Sequence, residues 1–446
     1  MAKYALLVWL CSFCAFAQPA ASSDIPSLKP ADLAPWYWLK KLNGQDPLLM
    51  SAKAISDFNA KVIAAVPERV ALASLPNAIS GKEVKKAITA ISHTSERYLA
   101  SGKALDWPPY LASRNLAAIK ESQPLRFALV VRRTAMRTFP TTTRVFKKDL
   151  NTDLDRFQET GLFPGQALAI MATSRDGKWY FAQSRNYRAW VQAADVAIGS
   201  RQDVLAYGQK TPFLMTTGAR VETVFNPVEP RVSQRKFDMG LRLPLAAFKG
   251  HDLYGQNPYS GYVVTLPVRN RDGSLAFKPA LIARSQGVHV GYLPYTQGNL
   301  IRQAFKFLGE RYGWGHDFDG RDCTGFVGEV YRTFGFLLPR NSGEQGYGQF
   351  GLNHRFGKGQ VSQKLAVLKK APVGSLIYLP GHVAMLLGWQ DGKPWIIHDV
   401  AGLAYLKDGK LYRGVLNGVS VTPLLPLMLS PSTSYLEASY NIKTLQ

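Results

Sequence analysis

Arg321-Asp322-Cys323-Thr324-Gly325-Phe326 is the stretch on which the reading of this chain turns. Asp322 and Thr324 are cap-type residues around a cysteine, and a loop punctuated by glycine and aromatic residues runs from Gly313 to Asp322. This pattern predicts a helix over Cys323 to Phe334. Positions 323, 327, 330 and 334 fall on one helical stripe, and Val327, Val330 and Phe334 make it apolar, so Cys323 heads the inward face. A thiol there sits beside unpaired N–H groups at the positive end of the helix dipole. Such settings lower a thiol pKa from about 8.5 to about 3.5–7.5. The Cys323 N–H would also face a developing oxyanion. The rival reading of Cys323 is a small hydrophobe in a core.

A nucleophile needs a base. The histidines are 93, 251, 289, 316, 354, 382 and 398, and only His382 and His398 lie in the apolar strand pair downstream of the cysteine helix. Polar rings in such strands must find partners. A Cys–His pair oriented by a third polar group meets that need and is the arrangement of an activated nucleophile. Two structural histidines satisfied by other partners are the alternative. A two-residue Asp391-Gly392 turn would put His382 and His398 on opposite faces of the hairpin. A same-face pair therefore predicts an irregularity around Gln390 to Pro394.

Working outward, the chain has 446 residues, 54 Lys+Arg, 31 Asp+Glu and a formal charge of +23. Its length suggests roughly three domains, and 46% hydrophobic residues exclude global disorder. The charge predicts an anionic partner or surface. Basic residues come as isolated pairs such as Arg132-Arg133 and Lys147-Lys148, so no nucleic-acid partner is expected. At the start, Lys3, the apolar run Ala5 to Phe13 and Ala15-Phe16-Ala17 read as a secretory signal peptide over residues 1–17. Cleavage there removes Cys11 and Cys14 and leaves Cys323 as the one thiol, which excludes a disulfide framework. No later run reaches the ~20 apolar residues of a spanning helix, so no stable membrane insertion is expected. The expected location is exported, in the periplasm or cell envelope.

Residues 22–123 read as helical. Asp46-Pro47 is read as a helix start, Ser80-x-x-Glu83 as a capping box, and Trp107-Pro108-Pro109 as the end of the unit. Residues 124–200 and 201–298 each hold several short strands with Asp-Gly turns, which suggests two small barrels. Residues 299–446 start with an amphipathic helix over Leu300 to Tyr312 and end in antiparallel strands, an α+β pattern. His316-Asp317-Phe318-Asp319-Gly320 imitates part of a calcium loop but lacks the required glutamate, so it is read as a turn beside the active site. No metal or cofactor is expected.

Tyr312-Gly313-Trp314-Gly315, Arg321 to Phe326, Leu338-Pro339-Arg340-Asn341-Ser342, Gly381-His382-Val383 and Ile397-His398 together resemble the NlpC-type papain-like cell-wall peptidases. Leu49-Met50-Ser51 through Phe58-Asn59 resembles the N-terminal stabilising domain of one subgroup. Phe127 to Pro140 and Phe237-Asp238-Met239-Gly240 resemble its two bacterial SH3-type domains. The resemblance implies a multidomain α+β chain: a helical N-terminal domain, two SH3-like barrels and a papain-like catalytic domain.

It also implies Cys323 as nucleophile, His382 as general base and His398 as the orienting third group. The implied reaction is cleavage of the γ-D-glutamyl to diamino-acid bond of peptidoglycan stem peptides or muropeptides, by a monomer. Asp322 would pair with a free N-terminal L-Ala amine. Thr324, where the family usually has Ser, Tyr312, Arg340 and Ser342 match pocket positions, and Tyr187 from the first SH3-type domain would close one side. The rival from another class is a cell-wall-binding SH3 protein with weak or no hydrolase activity.

Overall fold

A computed structural model describes residues 22–446 apart from 68 and 358. The stretch read as a signal peptide, 1–17, lies outside the described residues. The cysteine helix runs Cys323–Arg332. Its apolar stripe packs Phe326, Val327, Val330 and Tyr331 against Val383, Met385 and Ile397 of a sheet, all at most 1% exposed. That sheet is antiparallel and six-stranded, in the order Leu352–Arg355, Asn441–Thr444, Leu376–Leu379, His382–Gln390, Lys393–Lys407, Lys410–Pro423. The last two strands are longer than their apolar stretches indicate, because each strengthens the other's backbone pairing out to a Lys407/Lys410 turn.

The hairpin that carries the two histidines resolves the register question. Asp391-Gly392 does form a two-residue turn, with Gln390 paired to Lys393 and both turn residues at positive φ. The predicted irregularity is present but lies further up the strand: pairing slips by one between Leu386 and Gly388. The correction is one of place. A bulge needs a residue in unusual backbone geometry, and Gly388 supplies it at φ +137°. The slip turns His398 to the same face as His382.

The helices before residue 124 divide between two neighbouring cores. Ile55, Phe58 and Val62 of helix Ala52–Ala65 enter the core of the cysteine helix. Phe58 meets Phe336 edge-on at 5.2 Å and Phe350 at 5.7 Å. Beside it Asn59 donates to Gly335 O and accepts from Leu337 N, each at 2.8 Å, clamping the loop that follows the cysteine helix. Val84 and Ile88 of helix Gly81–Ile91 pack instead on Trp179, Phe181 and Trp190 of the first β unit.

Asp46-Pro47 does not start a helix; Ser51 caps Ala52–Ala65. Asp46 reaches across to cap Gln297–Phe305, accepting from Gly298 N at 2.8 Å and Thr296 Oγ1 at 3.0 Å. That helix begins earlier and ends sooner than Leu300 to Tyr312 because Thr296 caps it. Trp107-Pro108-Pro109 starts a short helix, Pro108–Ser113, because proline fits its first turn.

Neither β unit is the closed barrel expected. The first is an open seven-stranded antiparallel sheet, from Gln158–Leu162 at one edge to Val196–Gly199 at the other. The second edge cannot return to close it because the second unit occupies it, with Ile198 N donating to Gly273 O at 3.0 Å. The second unit consists of three small sheets around Leu214, Val221, Phe237, Val264 and Ile282. Five of its strands have three or four residues, too few to wrap a barrel. Its Asp238-Met239-Gly240 turn presses on the cysteine helix. A Cβ at Gly240, φ +82°, would lie 2.8 Å from Arg332 Cβ.

Candidate active site

Asp322 is the N-cap of the cysteine helix, and its carboxylate accepts from Gly325 N at 2.8 Å. Cys323 follows, 6% exposed, and is the free cysteine among the described residues. The backbone N–H of Val383 lies close enough to the sulfur to act on the thiol, which places the start of the His382 strand beside it. His382 Nε2 lies 3.0 Å from His398 Nδ1, and His398 Nε2 lies 3.0 Å from Thr422 Oγ1. Tyr435 stands edge-on to both rings, at 6.0 Å and 6.3 Å. This line of contacts leaves Nδ1 as the unengaged nitrogen of His382.

The electrostatics differ from the helix-terminus expectation. Burial, then the Asp322 charge, pushes the Cys323 thiol up to about 12. Burial lowers His382 to about 4. His398 is held well below the ordinary imidazole range by burial and by His382. Desolvation in this enclosed site outweighs the dipole of a ten-residue helix. The resting pair is therefore a neutral thiol and a neutral imidazole.

Asp322 and Arg340 form a buried ion pair, Nη2 to Oδ2 at 2.6 Å. Thr324 is part of it, donating to Asp322 at 2.9 Å and accepting from Arg340 at 2.6 Å. Arg340 also donates to Thr160 Oγ1 at 2.6 Å, across to the first β unit. Although burial opposes ionisation, Arg340 and the other donors hold the Asp322 carboxyl far below its ordinary range.

Tyr312 is buried beside Asp322, Cys323 and Asp399, and burial above all raises its hydroxyl. Tyr187 donates to Glu159 and lies within electrostatic reach of Arg340. Ser342 heads the next helix, Ser342–Tyr347, and among the described residues no hydrogen bond ties its hydroxyl to this cluster.

Residues 309–407 match the NlpC/P60 family. The chain carries an NlpC/P60 domain. Residues 144–192 match the SH3 domain (SH3b1 type), within the first β unit. An NlpC/P60 endopeptidase from Photobacterium damselae subsp. piscicida is similar in fold, with TM-score 0.71 and 15% identity over 90% of this chain and 94% of that one. An NlpC/P60 family protein from Bacillus cereus ATCC 10987 aligns at 18% identity and TM-score 0.48, over 72% of this chain and 99% of that one. No curated protein matches the chain.

Several residues of the NlpC/P60 domain and its border carry no catalytic or binding role in the sequence reading. Thr422 ends the histidine line, and its role depends on a strand pairing, Ile396 with Thr422, that no local signal encodes. Arg321, fully buried, binds Glu329 at 3.0 Å and also Glu310. His316 is buried against Glu329, 3.3 Å away, and burial lowers it to about 4. Its turn holds Gly315, His316, Phe318 and Asp319 at positive φ and abuts the Gln158–Leu162 edge. Asp399 is fully buried with no hydrogen-bond partner for either oxygen, and burial raises it to about 9. Among the described residues no helix is long and apolar enough to cross a membrane, and no cluster of three or more His, Cys, Asp or Glu could hold a metal.

Proposed function

We propose that this chain is an exported cysteine peptidase of the cell envelope. It cleaves the γ-D-glutamyl to diamino-acid bond of peptidoglycan stem peptides or muropeptides. The observation that carries this reading is the line His382–His398–Thr422 beginning next to a buried helix-terminal thiol. In this reading residues 1–17 are the signal peptide and 22–123 the stabilising segment. Residues 124–200 and 201–298 are SH3-type units that grip wall polymer, and 299–446 are catalytic.

His382 Nδ1 takes the thiol proton as the sulfur attacks the γ-carbonyl. A neutral resting pair makes this proton transfer part of the attack rather than a step completed beforehand. His382 Nε2–H donates to His398, whose own Nε2–H donates to Thr422. That direction of donation keeps Nδ1 available as acceptor. N–H groups at the helix start, including that of Cys323, hold the oxyanion. His382 protonates the leaving amine, and water activated by the same ring releases the acid from the thioester.

The free L-Ala amine needs an acid to read it. Arg340 already neutralises Asp322, so Asp322 serves chiefly to fix Arg340 and Thr324. Glu159 is the other candidate: half-buried, raised by desolvation and held by Tyr187. The test uses defined stem peptides with free and acylated N-termini, with products identified by mass. Cys323→Ala must abolish cleavage; equal cleavage by that variant rejects the mechanism and revives the wall-binding alternative. Glu159→Gln must lose the preference for free-amine stems while Asp322→Asn loses overall activity. An unchanged preference in Glu159→Gln rejects this assignment.

A further inference from the structure

A cavity of about 610 Å³ lies at the opposite end of the cysteine helix from the thiol. Arg332, the last residue of that helix, lines it, roughly 14 Å along the axis from Cys323. Four parts of the chain meet there. Leu72 comes from the N-terminal segment, Arg185 from the first β unit, Val204 and Met215 from the second, and Arg332 from the catalytic region. A volume of this size suits a small-molecule ligand rather than a single water or ion.

The charge pattern is unusual for this molecule. Elsewhere, several buried arginines have carboxylate partners: Arg321 has Glu329, Arg340 has Asp322, and Arg137 has Asp155. Around the cavity no carboxylate makes such a contact, although Glu329 and Asp238 act on Arg332, and Glu344 on Arg69, from further away. Arg69 Nε and Nη2, Arg185 Nε, Arg332 Nη1 and Arg242 Nε are all buried without a hydrogen-bond partner. Arg69 is fixed in place by donating to Leu337 O at 2.7 Å and Leu338 O at 3.0 Å. Arg242 is fixed over the Phe213 ring at 3.9 Å. Arg185 is lowered to about 9 by burial and by the charges of Arg69 and Arg332, and stays cationic at neutral pH. Like charges buried without a contacting counter-charge are costly, and a guanidinium cannot shed its proton readily.

We propose that this cavity binds a small amphiphilic anion. Its phosphate or carboxylate pairs with Arg185 and Arg332, and its body lies on Leu72, Val204 and Met215. Planar guanidinium groups suit both oxyanions. Because the walls come from all four parts, the bound anion holds them together and stabilises the folded chain. The proposal does not depend on the peptidase reading, since no residue of the histidine line touches the cavity.

The test titrates the full chain calorimetrically in low-salt buffer with phenyl phosphate, benzoate and uncharged phenol. Arg185→Gln, Arg332→Gln and the surface control Arg271→Gln are run beside it. We expect one saturable site for phenyl phosphate, benzoate or both, and none for phenol. The two anions distinguish a phosphate ligand from a carboxylate one. Binding must weaken at least tenfold in Arg185→Gln and Arg332→Gln and stay unchanged in Arg271→Gln. Without ligand, Arg185→Gln must melt at or above the wild-type temperature, since an unpaired buried charge has gone. No saturable site in the wild type, equal affinity in both cavity variants, or a lower melting temperature of ligand-free Arg185→Gln overturns the proposal. The wild-type titration decides it even where a variant fails to fold.

Discussion

Replacing Asp399 by Asn tests whether a carboxylic acid is held protonated near the Cys323 thiol. Asp399 is fully buried, neither oxygen has a hydrogen-bond partner, and burial raises it to about 9. An unfolded Asp titrates near 3.9, so between pH 4 and 9 the folded chain holds a proton that the unfolded chain releases. The resulting penalty grows with pH across that window. At about 1.36 kcal/mol per pH unit it reaches about 4 kcal/mol at pH 7 and about 1 kcal/mol at pH 4.5. Asn keeps the shape of the protonated acid and does not titrate. Asp399→Asn should therefore gain about 3 kcal/mol more stability over wild type at pH 7 than at pH 4.5. Urea denaturation of both proteins at both pH values measures this double difference. A variant less stable than wild type at pH 7 would show that Asp399 is ionised and paired with Arg321, and would refute the reasoning.

Three further outcomes follow from the site. Thr422→Val removes the end of the histidine line, which costs one hydrogen bond of about 1 kcal/mol, or roughly fivefold in kcat with KM little changed; a wild-type kcat would show that Thr422 does not orient His398. With His382 lowered to about 4 by burial, kcat/KM should hold from pH 7 down to pH 5 and fall only as pH approaches 4, where the imidazole protonates and cannot accept the thiol proton. An acid limb near 6.5 would place His382 in an ordinary solvated setting. Gly388→Val puts a β-branched residue at φ +137°, a strain of about 1–3 kcal/mol. It should lower the melting temperature and reduce activity further than stability alone explains, because relaxing the bulge turns His398 to the other face. Full activity in a destabilised Gly388→Val would separate the bulge from the site.

The positions that the sequence made legible are those governed by neighbours in the chain. Asp322 before Cys323 marks a helix start because a cap acts within three residues, and the stripe at 327 and 330 marks its buried face by helical period. The spacing of His382 and His398 required a slip in the hairpin for the same reason: strand side chains alternate. The sequence puts that slip near the turn, around Gln390 to Pro394, whereas packing of the whole sheet puts it between Leu386 and Gly388. Asp46 looked like a local cap and serves a helix some 250 residues away. The closed barrels failed similarly, since short alternating strands do not say whether an edge meets its own sheet or a neighbour.

What tertiary structure alone decided is the charge state of the site. From sequence, a thiol at a helix terminus tends toward thiolate and Asp322 is free to meet an amine. In the folded chain the thiol is neutral and Asp322 is matched by Arg340. Caps and periods act over a few residues and can be read from order. Desolvation and ion pairing depend on which distant segments exclude water, and that exists only once the chain has closed around the site.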